Sequence, residues 1–205
     1  MDTKELKTQK EWMQILNRSG KDRSFSISDY QLRDDWIKDA CFPILTKETI
    51  DVLAKLLKGR RVVDAGCGRA YLAYQLHKRD IDIIAVDNYS TKYNTGFLNA
   101  SFPYMRVIEE PAIGWIRPEF GAIIMSWPDM KSNFAEVIVE KMISGQLLVY
   151  QGESESGCTA TEEFFNLVNS EKFKYMKDFS KRLNKWHLQF SGIHDYWSVY
   201  LKNAL

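Results

Sequence analysis

The sequence predicts an α/β fold: a doubly wound, mostly parallel seven-stranded sheet with an antiparallel C-terminal strand pair and an N-terminal helical segment. Three observations predict it. Short, almost wholly apolar runs bounded by turn residues recur along the chain, as strands buried on both faces require. Amphipathic stretches of helical period alternate with them, the pattern of βαβ units. The tail, "FKYMKDFSKRLNKWHLQFSGIHDYWSVYLKN", alternates with period two around Gly192 and reads as antiparallel strands.

Residues 1 to about 58 read as mainly helical. In "TKETIDVLAKLLKGR", Thr46 suits the N-cap, Glu48 the first turn, and Ile50, Leu53, Leu56 and Leu57 mark one face, with Lys58 and Gly59 as the stop. The preceding "SFSISDYQLRDDWIKDACFP" is polar and aromatic and fits no period. "RRVVDAG" then reads as a strand, "AYLAYQLHKR" as a helix, "DIIAVD" and "YMRVIEE" as strands, and "FGAIIMSW" as a buried strand. "SNFAEVIVEKMISG" reads as a helix with Asn133 and Glu136 as a capping box and Gly145 as its end. "QLLVYQG" is a strand, and "TATEEFFNLVNS" a helix with acids in its first turn.

A length of 205 residues suits a single domain, 1–205: a helical cap over 1–58 and a ligand-binding core over 59–205. The net charge of +1 argues against a chain built as a whole to hold a polyanion. The three cysteines (Cys41, Cys67, Cys158) are far apart and form no C-x-x-C, which suggests reduced thiols. No apolar run reaches the roughly 18 residues of a membrane span, and the charged first residues have no apolar core, so a cytoplasmic location is expected. His77, His187 and His194 have no metal-ligand spacing, and no metal is expected.

The chemistry concentrates in "VVDAGCGRAYLA" and "IIAVDN". Gly66 and Gly68 make a turn after the first strand, but Tyr71 stands where a dinucleotide site wants its third glycine, and no G-K-[ST] follows. Asp64, two residues before the turn, would repel a pyrophosphate and suits a ligand bearing a cation. Asp87 ends the next strand, 19 residues beyond Gly68, where such folds bring a carboxylate to ribose hydroxyls. The bland alternative is that both aspartates merely end strands.

Together these stretches resemble motifs I and II of the class I S-adenosylmethionine (SAM)-dependent methyltransferases, acidic-x-G-x-G-x-G, with Ala70 in place of the last glycine. The likeness covers roughly residues 60 to 202. It implies SAM as cofactor, the backbone of Gly66, Cys67 and Gly68 near its methionine part, the Asp64 carboxylate near its amino group, Asp87 at the ribose, Glu109 or Glu110 at the adenine, and Ala65 and Asn88 among the cofactor-binding residues. "SWPD" (Ser126, Trp127, Pro128, Asp129) ends the strand that in this family points at the acceptor. It is similar to the [DNS]-P-P-[YFW] of amino methyltransferases at Ser126 and Pro128 only. Trp127 could still stack on an acceptor and Asp129 take a proton.

"GESESGCT" after the fifth strand is shaped like a loop over a ligand, with Glu153 and Cys158 within reach of an acceptor. Tyr30 and Trp36, in the N-terminal segment, are candidates to cover the cofactor or acceptor. Lys172, Lys174, Lys177, Lys181, Arg182 and Lys185, with interleaved aromatics, form either a nucleic-acid surface or a solvated strand face, and the near-zero net charge favours the second. The function expected is methyl transfer from SAM to a small molecule or a protein side chain. The alternatives are a nucleic-acid base as acceptor, or a non-catalytic SAM-binding or assembly subunit.

Overall fold

A computed structural model of the chain describes residues 5–16, 27–90, 102–155 and 157–204. Seven strands form one sheet: β1 Val62–Ala65, β2 Ile83–Val86, β3 Val107–Ile108, β4 Ala122–Ser126, β5 Leu147–Gly152, β6 Phe173–Tyr175 and β7 Tyr196–Lys202. Their spatial order is β3-β2-β1-β4-β5-β7-β6. The first five pair in parallel, and β7 runs antiparallel to both β5 and β6. The order reverses between β1 and β4, and open sheets of this kind bind ligands in the crevice at that point, beyond the carboxyl ends of the strands.

Why the strands read as unbroken apolar runs is visible in the packing. Val62, Ala85, Ile124 and Val149 belong to one apolar cluster, while their neighbours Val63, Val86, Ile123 and Leu148 belong to the other. Alternate residues face opposite sides, and both sides are covered. Helices α1 Gln9–Ile15, α2 Ile27–Asp39, α3 Lys47–Leu57, α4 Tyr71–His77 and α7 Lys177–Trp186 supply the first cluster. The second takes the 3-10 turn Ala112–Trp115 with α5 Phe134–Lys141 and α6 Glu162–Val168. No helix among the described residues is long and apolar enough to cross a membrane.

The cap of α3 forms as the sequence predicts. The buried Thr46 hydroxyl accepts from the Thr49 N–H at 3.1 Å and donates to the Trp186 carbonyl at 3.1 Å. One side chain therefore ends α3 and ties it to the end of α7. Thr46→Ala should cost about 1–2 kcal/mol, lowering the melting temperature by roughly 3–6 °C in a thermal unfolding scan. An unchanged midpoint would show that neither bond contributes.

The antiparallel C-terminal strand pair forms as β6 and β7. Other expectations need correction: the tail is not strand throughout, because α7 lies between the two strands. Met176, Phe179, Ser180 and Leu183 recur at three and four residues and pack on the sheet, and this helical period outweighs the shorter alternation. The tail's six basic residues are accordingly exposed, most of them on a helix rather than a strand. The capping box at α5 does not form either. Ser132 Oγ accepts from the Phe134 N–H at 3.2 Å, and Glu136 instead accepts from the Thr161 hydroxyl. The unassigned N-terminal stretch contributes α2, whose Trp36 is buried edge-on against Trp12 at 4.8 Å.

Candidate functional site

A cavity of about 730 Å³ opens where the strand order reverses, well within the roughly 300–1,000 Å³ of small-ligand sites. The ends of β1, β2 and β4 form its floor, and residues 40–43, between α2 and α3, close one side. Asp64, Gly66, Cys67, Gly68, Asp87 and Asn88 line it together, as do Ser126, Trp127, Pro128 and Asp129. The two groups that are distant in sequence thus face one space.

The turn after β1 is tightly determined. Gly66 has φ +72°, Gly68 φ +52° and Ala70 φ +56°, so alternate residues are left-handed. A Cβ on Gly66 would also lie 3.3 Å from the Phe134 ring, so glycine serves both conformation and close approach there. Ala70, in the family's last glycine position, keeps the left-handed backbone despite its methyl group. Tyr71 packs its ring edge-on against Trp36 at 5.5 Å and Tyr104 at 4.8 Å, filling the place a dinucleotide turn would leave bare.

Asp64 is 2% exposed, and its Oδ2 has no hydrogen-bond partner. Burial first, then the neighbouring Asp87 charge, push its pKa up to about 7, against a lowering by the Ala73 N–H. A buried carboxylate with an unused oxygen beside a ligand-sized space is costly unless something cationic meets it. Asp87 has a second task that the sequence did not reveal. Its Oδ2 accepts from the Gly68 N–H at 2.8 Å and its Oδ1 from the Tyr89 N–H at 2.7 Å, bracing the glycine turn from the next strand. Burial also raises the Asp87 pKa, against the pull of those two N–H groups. Cys67 and Cys41 line the cavity too, with thiol pKa values pushed up by burial and then by Asp64, so neither is an activated nucleophile.

Not every candidate reaches the cavity. Glu109 and Glu110 are exposed, and the wall beside them is formed by Pro111, Ala112 and Ile113. Glu110 accepts from the Trp115 indole N–H at 3.0 Å, which holds its carboxylate at the surface. Ala65 turns its side chain into the core as strand alternation demands. Tyr30 and Trp36 do not line the cavity. Trp36 is 4% exposed and donates to the Pro43 carbonyl at 2.9 Å, so its part is to hold the segment that does. The six basic tail residues lie outside the cavity.

The loop 152–159 reads in the structure as a clasp. Tyr150 and Thr159 share a hydroxyl–hydroxyl bond of 2.7 Å. Buried Glu153 accepts from the Cys158 N–H at 2.8 Å and the His194 N–H at 3.0 Å, so its carboxylate fastens the loop rather than facing a ligand. A Cβ on Gly152 would lie 2.7 Å from the Tyr150 hydroxyl, and one on Gly157 2.3 Å from the Glu153 Cβ. Among the described residues of this loop, the exposed Cys158 alone lines the cavity.

The sequence reading missed a buried polar group behind β4. Asp195, 2% exposed, accepts from the Trp127 indole N–H at 3.1 Å and the Gln151 amide at 2.6 Å through Oδ2, while Oδ1 lies 2.9 Å from His187 Nε2. Gln151 in turn accepts from the Ser126 hydroxyl at 3.1 Å. Trp127 itself has φ +50°, a conformation that costs a bulky residue about 1–2 kcal/mol. Its N–H donates to the Gln151 carbonyl at 2.8 Å, and its ring stacks on Phe42 at 5.2 Å and 15°. Among the described residues no cluster of His, Cys, Asp and Glu could hold a metal ion.

Comparison with known proteins agrees with this architecture. The chain is similar to a TehB-like SAM-dependent methyltransferase from Corynebacterium glutamicum, with a TM-score of 0.52 at 13% identity over 86% of this chain and 98% of that one. It is also similar to the magnesium protoporphyrin IX methyltransferase of Synechocystis, solved with bound SAM, with a TM-score of 0.51 at 11% identity over 98% and 99% of the two chains. No family model and no curated protein matches the chain. The fold is that of the class I SAM-dependent methyltransferases, and at these identities the likeness is one of fold.

Proposed function

We propose that the chain is a SAM-dependent methyltransferase whose acceptor is a small molecule. The observation that carries the reading is buried Asp64, which lines the cavity beside the glycine turn and whose Oδ2 has no hydrogen-bond partner. It is an anionic group placed to take an ammonium, in a fold whose neighbours include one solved with SAM. The Gly66–Gly68 backbone, Asp64, Asp87 and Asn88 would hold the cofactor. When bound, it supplies an electrophilic methyl carbon on a sulfonium; the acceptor's lone pair takes that methyl as the carbon–sulfur bond breaks and leaves a neutral thioether.

The chain's own residues orient and shield, and none of them bonds to the methyl group. Ser126 to Asp129 present the acceptor side of the cavity. Asp129, whose Oδ1 already accepts from the Lys131 N–H at 2.9 Å, is the carboxylate on that side to receive the acceptor's proton. Residues 40–43 keep water from the space between. Calorimetric titration with SAM and with its demethylated product, S-adenosylhomocysteine (SAH), tests the reading. Micromolar binding of both is expected, and the absence of heat from folded protein would overturn it.

A further inference from the structure

Two aromatic rings in the cavity serve neither hydrophobic cluster. Phe42 and Trp127 both line the space, both are half-buried, and neither belongs to the packed core on either side of the sheet. They stack nearly parallel, 15° apart with centroids at 5.2 Å. Their supports are unequal. Trp127 is fixed twice over, by its backbone bond to Gln151 at 2.8 Å and by its indole N–H on Asp195 at 3.1 Å, and the Ala160 N–H holds the next residue at the Pro128 carbonyl, 3.0 Å away. Phe42 sits in the irregular stretch between α2 and α3. A rigid aromatic face locked by a buried carboxylate behind it is a preformed anchor for another flat ring.

We propose that Trp127, held by Asp195 as its positioning residue, is the seat of a planar aromatic small-molecule acceptor, and that Phe42 occupies that seat until the acceptor displaces it. The proposal rests on the methyltransferase reading only for what happens to the ring afterwards. Exchanging Phe42 for an acceptor ring trades one stacked contact for another, so displacement is nearly balanced. A free small molecule is favoured over a nucleic acid by the charges around the seat. Arg33, Arg69 and Lys131 line the cavity, but Arg69 is committed to three main-chain carbonyls, and Asp129 offsets one of the other two. A polyanion would find a rim with one net positive charge, far short of the several phosphate contacts that nucleic-acid binding rests on.

The test titrates quinoline and 2-naphthol, with decahydro-2-naphthol as the saturated control, into the full chain with and without SAH, read by calorimetry and tryptophan fluorescence. The flat rings should bind at least tenfold tighter than the saturated one. Trp127→Ala should lose tenfold or more of that affinity while binding SAH within twofold of wild type. Phe42→Ala should bind the rings at least threefold tighter, since nothing then has to move aside. Asp195→Asn should weaken ring binding several-fold and change the spectrum that Trp127 contributes, taken as the difference from Trp127→Phe, with SAH binding retained. Failure of every flat ring to bind, equal binding of flat and saturated rings, or unchanged ring binding in Trp127→Ala would overturn the proposal. Tighter binding of a mixed-sequence single-stranded decamer than of the free rings would overturn the small-molecule acceptor. Loss of SAH binding by the wild type alone would instead count against the methyltransferase reading, because ring binding is read without SAH as well.

Discussion

Asp64→Asn should make the protein more stable and unable to hold its cofactor. The carboxylate's pKa stands at about 7 rather than 3.8, chiefly because burial penalises its charge and secondly because Asp87 is near. A raised pKa means that the folded state holds the proton more tightly than the unfolded chain does. The stability from that proton is therefore complete below pH 3.8 and is lost as pH rises through about 7. At pH 8 the ionised group strains the fold by about 2–4 kcal/mol, since a tenfold change in proton affinity is worth about 1.4 kcal/mol at most. Asparagine has the same shape, can keep the Ala73 N–H and carries no charge. Its melting temperature should exceed the wild type's at pH 8 by roughly 4–8 °C, with the gap closing towards pH 4. The same substitution leaves a ligand ammonium without its partner, and SAH affinity should fall about a hundredfold. In the wild type, affinity should weaken below pH 7 towards tenfold per pH unit, because the acid must give up its proton to meet the ammonium. Thermal scans and titrations at pH 5 and 8 read all of this. A variant less stable than wild type at pH 8 that still binds SAH would remove Asp64 from the site.

The glycine-turn end of the cavity is legible in the sequence because its residues are near neighbours along the chain. Asp64 and the Gly66–Gly68 turn lie within five residues, and Asp87 is one strand and one helix further on, so local spacing alone brings them together. The runs of β1, β2, β4 and β5 were equally readable, since both faces of each are covered and the polar residues Asp64, Ser126 and Gln151 come only at or next to the carboxyl ends. The Trp127 end of the cavity depends on contacts that spacing does not encode. Asp195 meets Trp127 across 68 positions and Gln151 across 44, and neither pair has a motif. His187 and Asp195 are eight apart in an irregular stretch between α7 and β7, where no period places two side chains face to face. The helix α7 was hidden because its polar residues fall between aromatics in a way that mimics a strand. Glu153 looked like a loop acid free to face a ligand, and only the fold shows its oxygens closing the loop on Cys158 and the turn at His194.

Arg69 ties the glycine turn to the end of α2, and Arg69→Ala should separate them. The residue belongs to "GCGRAY" and lines the cavity, yet its guanidinium is spent on main-chain carbonyls. Its guanidinium donates to the Lys38 and Asp39 carbonyls, each at 2.6 Å, and to the Phe102 carbonyl at 3.0 Å, and it lies 5.1 Å from the Tyr104 ring centroid. The first two are end carbonyls of α2, which lack partners within the helix and carry the negative end of its dipole. Only 9% of the residue's surface is exposed, and among the described residues no carboxylate pairs with it. Three charge-assisted bonds in a buried setting outweigh the relief of removing an unpaired cation, so alanine should cost about 2–4 kcal/mol in denaturant unfolding. The second effect concerns function. Residues 40–43 follow α2 directly and wall the cavity, so freeing the helix end loosens that wall, and SAH affinity should fall several-fold although Arg69 lies outside the cofactor-holding set. Arg69→Lys should recover less than half of either loss, because an ammonium lacks the planar fork that spans two adjacent carbonyls and a third across the gap. Full recovery by lysine would reduce the role to charge alone. A stable Arg69→Ala with wild-type SAH binding would show that the cap stands without this tie.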